Sequence, residues 1–184
     1  MASSATSAAR RAEWTAAATD YVLERGLITL SLRPLGAALG TSDRMLLYHF
    51  GTKDELVAAV LAASNDRALA IVRELPESRD VRRAVLDLWE TLQNPHLLRC
   101  QRLYVEAAAL GLFGREPYAS SVRASNDVWM AQLVAHFERA GAGRRSERLA
   151  TLVDVAFNGI LLDRPLDDTG RSDRIVADLA AALA

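Results

Sequence analysis

Residues 31–56 read SLRPLGAALGTSDRMLLYHFGTKDEL, and this stretch decides the fold of the first third of the chain. Apolar residues recur at helical spacing in its first part: Leu32, Leu35, Ala38 and Leu39. The Ser31 hydroxyl is expected to cap this helix by accepting a hydrogen bond from a backbone N–H of the first turn. Pro34 falls in that turn, and Gly40 provides the left-handed residue that ends the helix.

A second short helix is predicted directly after Gly40, with Thr41 or Ser42 as its cap. Its inward face is predicted to hold Met45, Leu46, His49 and Phe50. Thr52 and Glu55 fit a capping box that starts a further helix. Two short helices joined by a three- or four-residue turn containing glycine form a helix-turn-helix, which places its second helix in the DNA major groove.

The same residues resemble the DNA-binding domain of the tetracycline-repressor (TetR) family of bacterial transcriptional regulators. The resemblance rests on Ser31-x-x-x-Leu35, Leu39-Gly40-Thr41-Ser42 and Leu46-Leu47-Tyr48-His49-Phe50-Gly51-Thr52-Lys53-x-Glu55-Leu56. It covers roughly residues 8–60, and the rest of the chain is similar only in helical character and length. It implies a homodimer that binds near-palindromic operator DNA and a C-terminal domain that senses a small molecule.

Composition favours an all-α protein, because the chain is 51% hydrophobic, rich in Ala and Leu, and poor in strand formers. The net charge is −1, and residues 1–60 carry as many acidic as basic groups, so DNA binding must depend on where the charges lie. The single cysteine, Cys100, cannot form an internal disulfide. With no export signal and no run of 18 apolar residues, a cytoplasmic protein is expected.

About nine helices are predicted. Residues 1–55 are expected to form an N-terminal arm and a three-helix helix-turn-helix domain, and residues 56–184 a helical bundle for ligand binding and dimerisation. Helix four, residues 53–74, links the two. The first helix is expected over 8–25, and Asn94-Pro95 signals the start of helix six, which looks buried on nearly all sides from Leu103. Ser78 or Asp80, Ser146 and Ser172 are expected to cap helices five, eight and nine.

The resemblance places helix three as the recognition helix, with Arg44 able to contact guanine and Arg33 able to reach DNA from helix two. The full predicted DNA-binding set is Ser31, Arg33, Thr41, Ser42, Arg44, Met45, Tyr48, His49 and Lys53. Hydroxyls, helix-start N–H groups and a lysine are usual phosphate ligands. Tyr48 and His49 could instead serve packing. The chain departs from the family pattern at Asp43, Arg44 and Leu47, so the operator sequence cannot be read by analogy.

Polar and aromatic residues of the larger domain are candidates for an effector pocket: Trp89, His96, Tyr104, Phe113, Tyr118, Trp129, Phe157 and Asn158. Any of them could equally be plain core, and the Asn158 amide could bind a ligand, backbone or a second subunit. An isologous dimer interface is expected on helices eight and nine, through Leu149, Val153, Ala156, Ile160, Ile175 and Leu179. No cofactor or metal site is predicted, because the three histidines lack metal-ligand spacing.

The sequence therefore predicts a non-enzymatic, homodimeric DNA-binding regulator, a repressor, with operator DNA and a small, largely apolar effector as partners. One alternative is a ligand-insensitive or activating regulator of the same fold. The other is a small all-α enzyme or binding protein without DNA affinity.

Overall fold

The predicted all-α fold is confirmed by a computed structural model that describes residues 2–163 and 169–184. Those residues form helices and loops, with no strand among them. The helices are α1 Ala2–Arg25, α2 Leu32–Ala38, α3 Asp43–Phe50, α4 Lys53–Arg73, α5 Val81–Leu92, α6 Pro95–Gly111, α7 Tyr118–Arg139, α8 Ser146–Asp163 and α9 Thr169–Leu183, with a 3₁₀ turn at Gly143–Arg145. The sequence also predicts a turn at 164–171, and this segment lies mostly outside the described residues. No helix in the described part is long and apolar enough to cross a membrane.

The chain divides into two compact units. The first comprises Met1–Ala68 and Pro95–Asn126, and the second comprises Leu69–Asn94 and Asp127–Ala184. The sequence predicts a division at residue 55 between a DNA-binding part and a ligand-binding part. That division concerns function and not compactness, and it stays a prediction.

The first unit packs α1, α2, α3 and the start of α4 around one apolar core. Its fully buried side chains include Val22, Leu35, Leu46, Leu56 and Val57. Burying a side chain of this size contributes about 1.5–3 kcal/mol. Helix α1 begins at Ala2, earlier than the expected residue 8. Helix α6 is buried only at every third or fourth position, through Leu97, Cys100, Leu103 and Ala107, so the expectation of burial on nearly all sides is wrong.

The caps of the helix-turn-helix differ from the predicted ones in one respect. Ser31 has the extended backbone of a cap residue, but its hydroxyl accepts no cap hydrogen bond. The reason is local: Pro34 occupies the third helical position and lacks one of the two N–H groups that such a hydroxyl normally binds. Ser42, and not Thr41, caps α3 by accepting from the Met45 N–H at 3.2 Å. The capping box is confirmed, with Thr52 N to Glu55 Oε2 at 2.9 Å and Glu55 N to Thr52 Oγ1 at 3.1 Å.

The second unit is built on α5, whose apolar face packs against α9, with α7 and α8 completing the core. Asp80, and not Ser78, caps α5 by accepting from the Arg83 N–H at 2.7 Å. The Ser78 hydroxyl instead donates to the buried carboxylate of Asp87 at 2.6 Å. Arg83 pairs with the other oxygen of that carboxylate at 2.6 Å, which leaves the buried charge compensated.

The predicted caps of the last two helices are wrong. The Ser146 hydroxyl donates to the Gly143 carbonyl at 2.8 Å, because a 3₁₀ turn precedes α8 and provides that acceptor. Ser172 is buried inside α9, since that helix already begins at Thr169.

Candidate nucleic-acid interface

A close approach between α2 and the start of α3 sets the geometry of the helix-turn-helix. Gly36 is buried on α2, and a Cβ there would lie 3.0 Å from Ser42 C and Asp43 N. The Thr41 N–H donates to the Gly36 carbonyl at 2.8 Å, and Gly40 adopts a positive φ of 66°. The turn is therefore held by backbone contacts that need a very small residue at position 36. Sequence reasoning identified Gly40 but missed Gly36.

Helix α3 has one buried and one outward face. Leu46 and Phe50 point into the core, whereas Arg44 and Tyr48, four residues apart, share the outward face, where Tyr48 is 77% exposed. Met45 is 41% exposed, so the expectation that it packs inward is wrong. The outward face thus combines a guanidinium, a phenol and a thioether.

Basic groups outnumber acidic ones from Ser31 to Lys53: Arg33, Arg44 and Lys53 against Asp43. Arg33, on α2, is also exposed. Asp43 is engaged locally, because its carboxylate accepts from the Arg44 N–H at 2.8 Å in the first turn of α3. A negative charge at the N-terminus of a helix is stabilising, so Asp43 has a structural role in α3.

Lys53, at the start of α4, donates from Nζ to the Leu30 carbonyl at 2.6 Å while remaining exposed. It therefore fixes the end of the loop between α1 and α2. An ammonium group has three donors, so this bond leaves others for a phosphate.

The His49 ring lies edge-on to Trp14 of α1 at 4.8 Å and to Tyr48 at 5.1 Å between ring centroids. Its Nδ1 is buried without a hydrogen-bond partner. The ring contacts support the packing interpretation of His49. Arg11, which sequence reasoning left out, places its guanidinium 5.3 Å from the Phe50 ring, beside the end of α3. In the sequence, only the adjacent basic pair Arg10-Arg11 points to Arg11.

Four of the predicted pocket residues lie in the second unit. Trp89 and Phe157 are buried with their rings 5.2 Å apart in an edge-on arrangement, and the Trp89 indole donates to Asp173 at 2.9 Å. Trp129 donates to one oxygen of Asp154 at 2.8 Å, and the Asn158 amide donates to the other at 3.2 Å. The partner of Asn158 is thus a carboxylate that was not anticipated. Burial raises the pKa of Asp154.

The other four pocket residues lie in the first unit. Phe113 is 85% exposed, so the structure does not place it in a pocket wall. Tyr104 and Tyr118 are half-buried, and the Tyr104 hydroxyl donates to Asn126 at 2.8 Å. His96 is half-buried at the start of α6. Burial also raises the pKa of the Cys100 thiol, which disfavours the reactive thiolate.

The predicted dimer residues differ in exposure, and the interface stays a prediction. Leu149, Val153 and Ile160 are buried within the chain, whereas Ala156 and Leu179 are half-buried and Ile175 is exposed. A second apolar stripe lies on the outer side of α8 and was missed: Leu152, Val155 and Leu162, with Val155 66% exposed. It recurs at the same helical spacing as the buried stripe, so periodicity alone could not separate the two.

This arrangement, a short exposed helix fixed by a tight turn against a second helix, defines a helix-turn-helix domain of the DNA-binding class. Residues 15–60 match the model of the bacterial regulatory proteins of the tetR family. Residues 15–60 are thus similar to the DNA-binding domain of the tetR family, as the sequence predicted for this part of the chain.

Two curated relatives match a short part of this chain. The HTH-type transcriptional repressor Rv3405c of Mycobacterium tuberculosis (strain H37Rv) and the HTH-type transcriptional regulator Mb3439c of Mycobacterium bovis are each 47% identical over 45 residues. The match covers 24% of this chain and 24% of each relative. The chain thus spans about a quarter of the length of the curated relatives it matches.

Solved structures extend the likeness of fold to nearly the whole chain. A transcriptional regulator (RHA1_ro04179) from Rhodococcus sp. Rha1 has a TM-score of 0.77 at 23% identity, covering 94% of this chain and 95% of its own. A TetR transcription regulator from Haloarcula marismortui has a TM-score of 0.73 at 19% identity, covering 96% and 97%. A transcriptional regulator from Saccharomonospora viridis in complex with choline has a TM-score of 0.70 at 17% identity, covering 95% of both chains.

Proposed function

We propose that this chain is a DNA-binding transcriptional regulator, a repressor, that binds a near-palindromic operator as a homodimer. The observation that carries the proposal is the outward face of α3, where Arg44 and Tyr48 stand exposed on a helix fixed by the Gly36 contact. Arginine can bond guanine O6 and N7 together in the major groove, and a phenol hydroxyl can bind phosphate. The matched relatives are regulators, which weighs against the enzyme alternative.

A matched pair of variants tests this assignment. Arg44→Ala should weaken specific binding by about 1–3 kcal/mol and relax the preference at one base pair per half-site. Arg82→Ala removes another exposed arginine, on α5, and should leave binding unchanged. Fluorescence anisotropy with duplexes from the DNA flanking the gene for this protein, against a scrambled competitor, measures both. Equal affinity of wild-type and Arg44→Ala would remove this residue from base recognition.

Two-fold assembly is proposed through the outer apolar stripe of α8, together with Ile175 of α9. Leu152, Val155 and Leu162 present apolar surface that nothing else in the described part of the second unit covers. A closed two-fold interface uses the same surface on both copies, and a palindromic operator needs two recognition helices one turn of DNA apart.

The effector is proposed to be a small, largely apolar molecule bound in the C-terminal part of the chain. The support for a small-molecule effector is that the S. viridis regulator, which has a similar fold, is in complex with choline. The second unit of this chain holds Trp89 and Trp129, whose fluorescence reports a bound molecule there. Titration with choline and with the apolar dye anilinonaphthalene sulfonate, each with and without operator DNA, tests the coupling. An effector should weaken operator affinity by roughly 5- to 150-fold, and DNA must weaken its binding equally.

A further inference from the structure

A carboxylate on α6 holds the loop that leads into the helix-turn-helix. Glu106 Oε2 accepts from the Leu27 N–H at 2.6 Å and from the Ile28 N–H at 2.8 Å. These amides lie just after α1, and α2 begins four residues beyond Ile28. Hydrogen bonds to an ionised acceptor are shorter and stronger than neutral ones. One side chain, 78 and 79 residues away in sequence, therefore satisfies two consecutive donors of this loop.

The glycine that begins this loop is matched to the same carboxylate. Gly26 has a positive φ of 85°, and a Cβ at this position would lie 3.0 Å from Glu106 Oε1 and 3.3 Å from Oε2. The residues around this contact line a surface cleft of about 210 Å³ between the end of α1 and α6. A carboxylate seated this close to the backbone has little freedom to move unless the loop moves with it.

The other end of the loop is fixed by a charge of opposite sign. The Leu30 carbonyl accepts from Lys53 at 2.6 Å, and the Leu30 N–H donates to the Leu27 carbonyl at 3.0 Å. Ser31 and Arg33, both exposed and both predicted to contact DNA, follow directly. The position of α2 therefore depends on a short segment held at its start by α6 and at its end by α4.

We propose that Glu106 is a positioning residue for DNA binding: by holding the Leu27 and Ile28 amides, it fixes the loop that presents α2 and α3 to the operator. This inference rests on the proposed function. When the contact is broken, the loop samples other conformations and only part of the molecules present α2 correctly. The apparent affinity is then the intrinsic affinity multiplied by the fraction of molecules that remain competent to bind. The number of phosphate contacts in the complex does not change, so the salt dependence should keep its slope.

The test compares Glu106→Gln with Glu138→Gln, which removes the same charge from an exposed position at the end of α7. In Glu106→Gln, hydrogen exchange at the Leu27 and Ile28 amides should accelerate by about tenfold or more, while exchange in α3 stays unchanged. Operator affinity should fall by about 3- to 30-fold at every salt concentration. Glu138→Gln should change neither the exchange at these two amides nor the operator affinity. A purely local structural role would accelerate exchange at the two amides without any loss of operator affinity.

A second pair of variants approaches the contact from the loop side. Gly26→Ala introduces a Cβ against the Glu106 carboxylate, whereas Gly141→Ala introduces one at a similar positive φ of 79° with nothing within 4 Å. Both incur backbone strain, but only Gly26→Ala should reproduce the exchange and affinity changes of Glu106→Gln. If wild-type protein binds no DNA, the proposed function fails and this inference fails with it. If wild-type binds and Glu106→Gln binds equally well despite faster exchange at the two amides, the inference alone is overturned.

Discussion

Replacing Lys53 by methionine should lower both the stability of the first unit and the affinity for DNA, through two separable effects. Methionine keeps most of the aliphatic stem but removes the ammonium that donates to the Leu30 carbonyl at 2.6 Å. A charge-assisted hydrogen bond contributes about 1.5–3 kcal/mol when shielded from water. Because Lys53 is exposed, solvent competes for its ammonium, and we expect a loss near 1 kcal/mol.

Urea denaturation measures the first effect. With an m-value of roughly 2 kcal/mol/M, a loss near 1 kcal/mol moves the midpoint by about 0.5 M. The second effect appears in DNA binding, where each phosphate contact contributes about 0.9 to the slope of log affinity against log salt. Lys53→Met should therefore bind all DNA sequences more weakly and lose about one unit of slope.

The conservative variant Lys53→Arg separates the two effects. It retains the positive charge, so the salt slope should persist even if the broader guanidinium fits the Leu30 carbonyl less well. An unchanged urea midpoint in Lys53→Met would show that the Leu30 bond contributes nothing. An unchanged salt slope would show that Lys53 makes no phosphate contact.

Two further predictions concern the second unit. His136 is buried, with Nε2 3.0 Å from the Ala84 carbonyl, and burial lowers its pKa. Folding therefore favours the neutral ring, and this contribution to stability is fully present above the ordinary pKa of 6.5. It is lost as the pH falls from 6.5 towards the lower folded-state pKa, at up to about 1.4 kcal/mol per pH unit. Urea denaturation from pH 7.5 to 5 should show a shallower decline for His136→Gln, and an equally steep one would contradict this. For the dimer, Val155→Glu should shift sedimentation from dimer towards monomer at micromolar concentration, since it places a charge on the outer stripe of α8. Ala177→Glu, on an exposed part of α9 away from Ile175, should leave the assembly intact, and a dimeric Val155→Glu would place the interface elsewhere.

The helix-turn-helix could be predicted because its signals are local. The capping box and the positive-φ glycine at position 40 each act over a few residues and appear where the sequence places them. The Ser31 cap failed for an equally local reason, since Pro34 removes a donor. Position 36 needs a glycine because α2 and the start of α3 approach closely there. No periodic pattern in the sequence indicates this approach.

The remaining errors come from contacts that are distant in sequence. Helix α8 carries two apolar stripes with the same period, and only the packing of the second unit shows that the Val153 stripe is core and the Val155 stripe is exposed. The Glu106 contact joins residues 79 apart, and Trp129 donates to the carboxylate of Asp154, which lies 25 residues further along the chain. Sequence pattern identifies apolar faces, but it cannot assign the neighbour that each face or polar group meets.

Hydroxyl-radical footprinting of the full chain on the DNA that flanks the gene for this protein tests the central claim most directly. A dimer that inserts α3 into the major groove should protect two half-sites whose centres lie about one helical turn, roughly 34–36 Å, apart, with related sequences in inverted orientation. The protection should disappear in Arg44→Ala at the same protein concentration. Uniform or absent protection by wild-type protein at micromolar concentration, in the presence of competitor DNA, would contradict the assignment of α3 as a recognition helix.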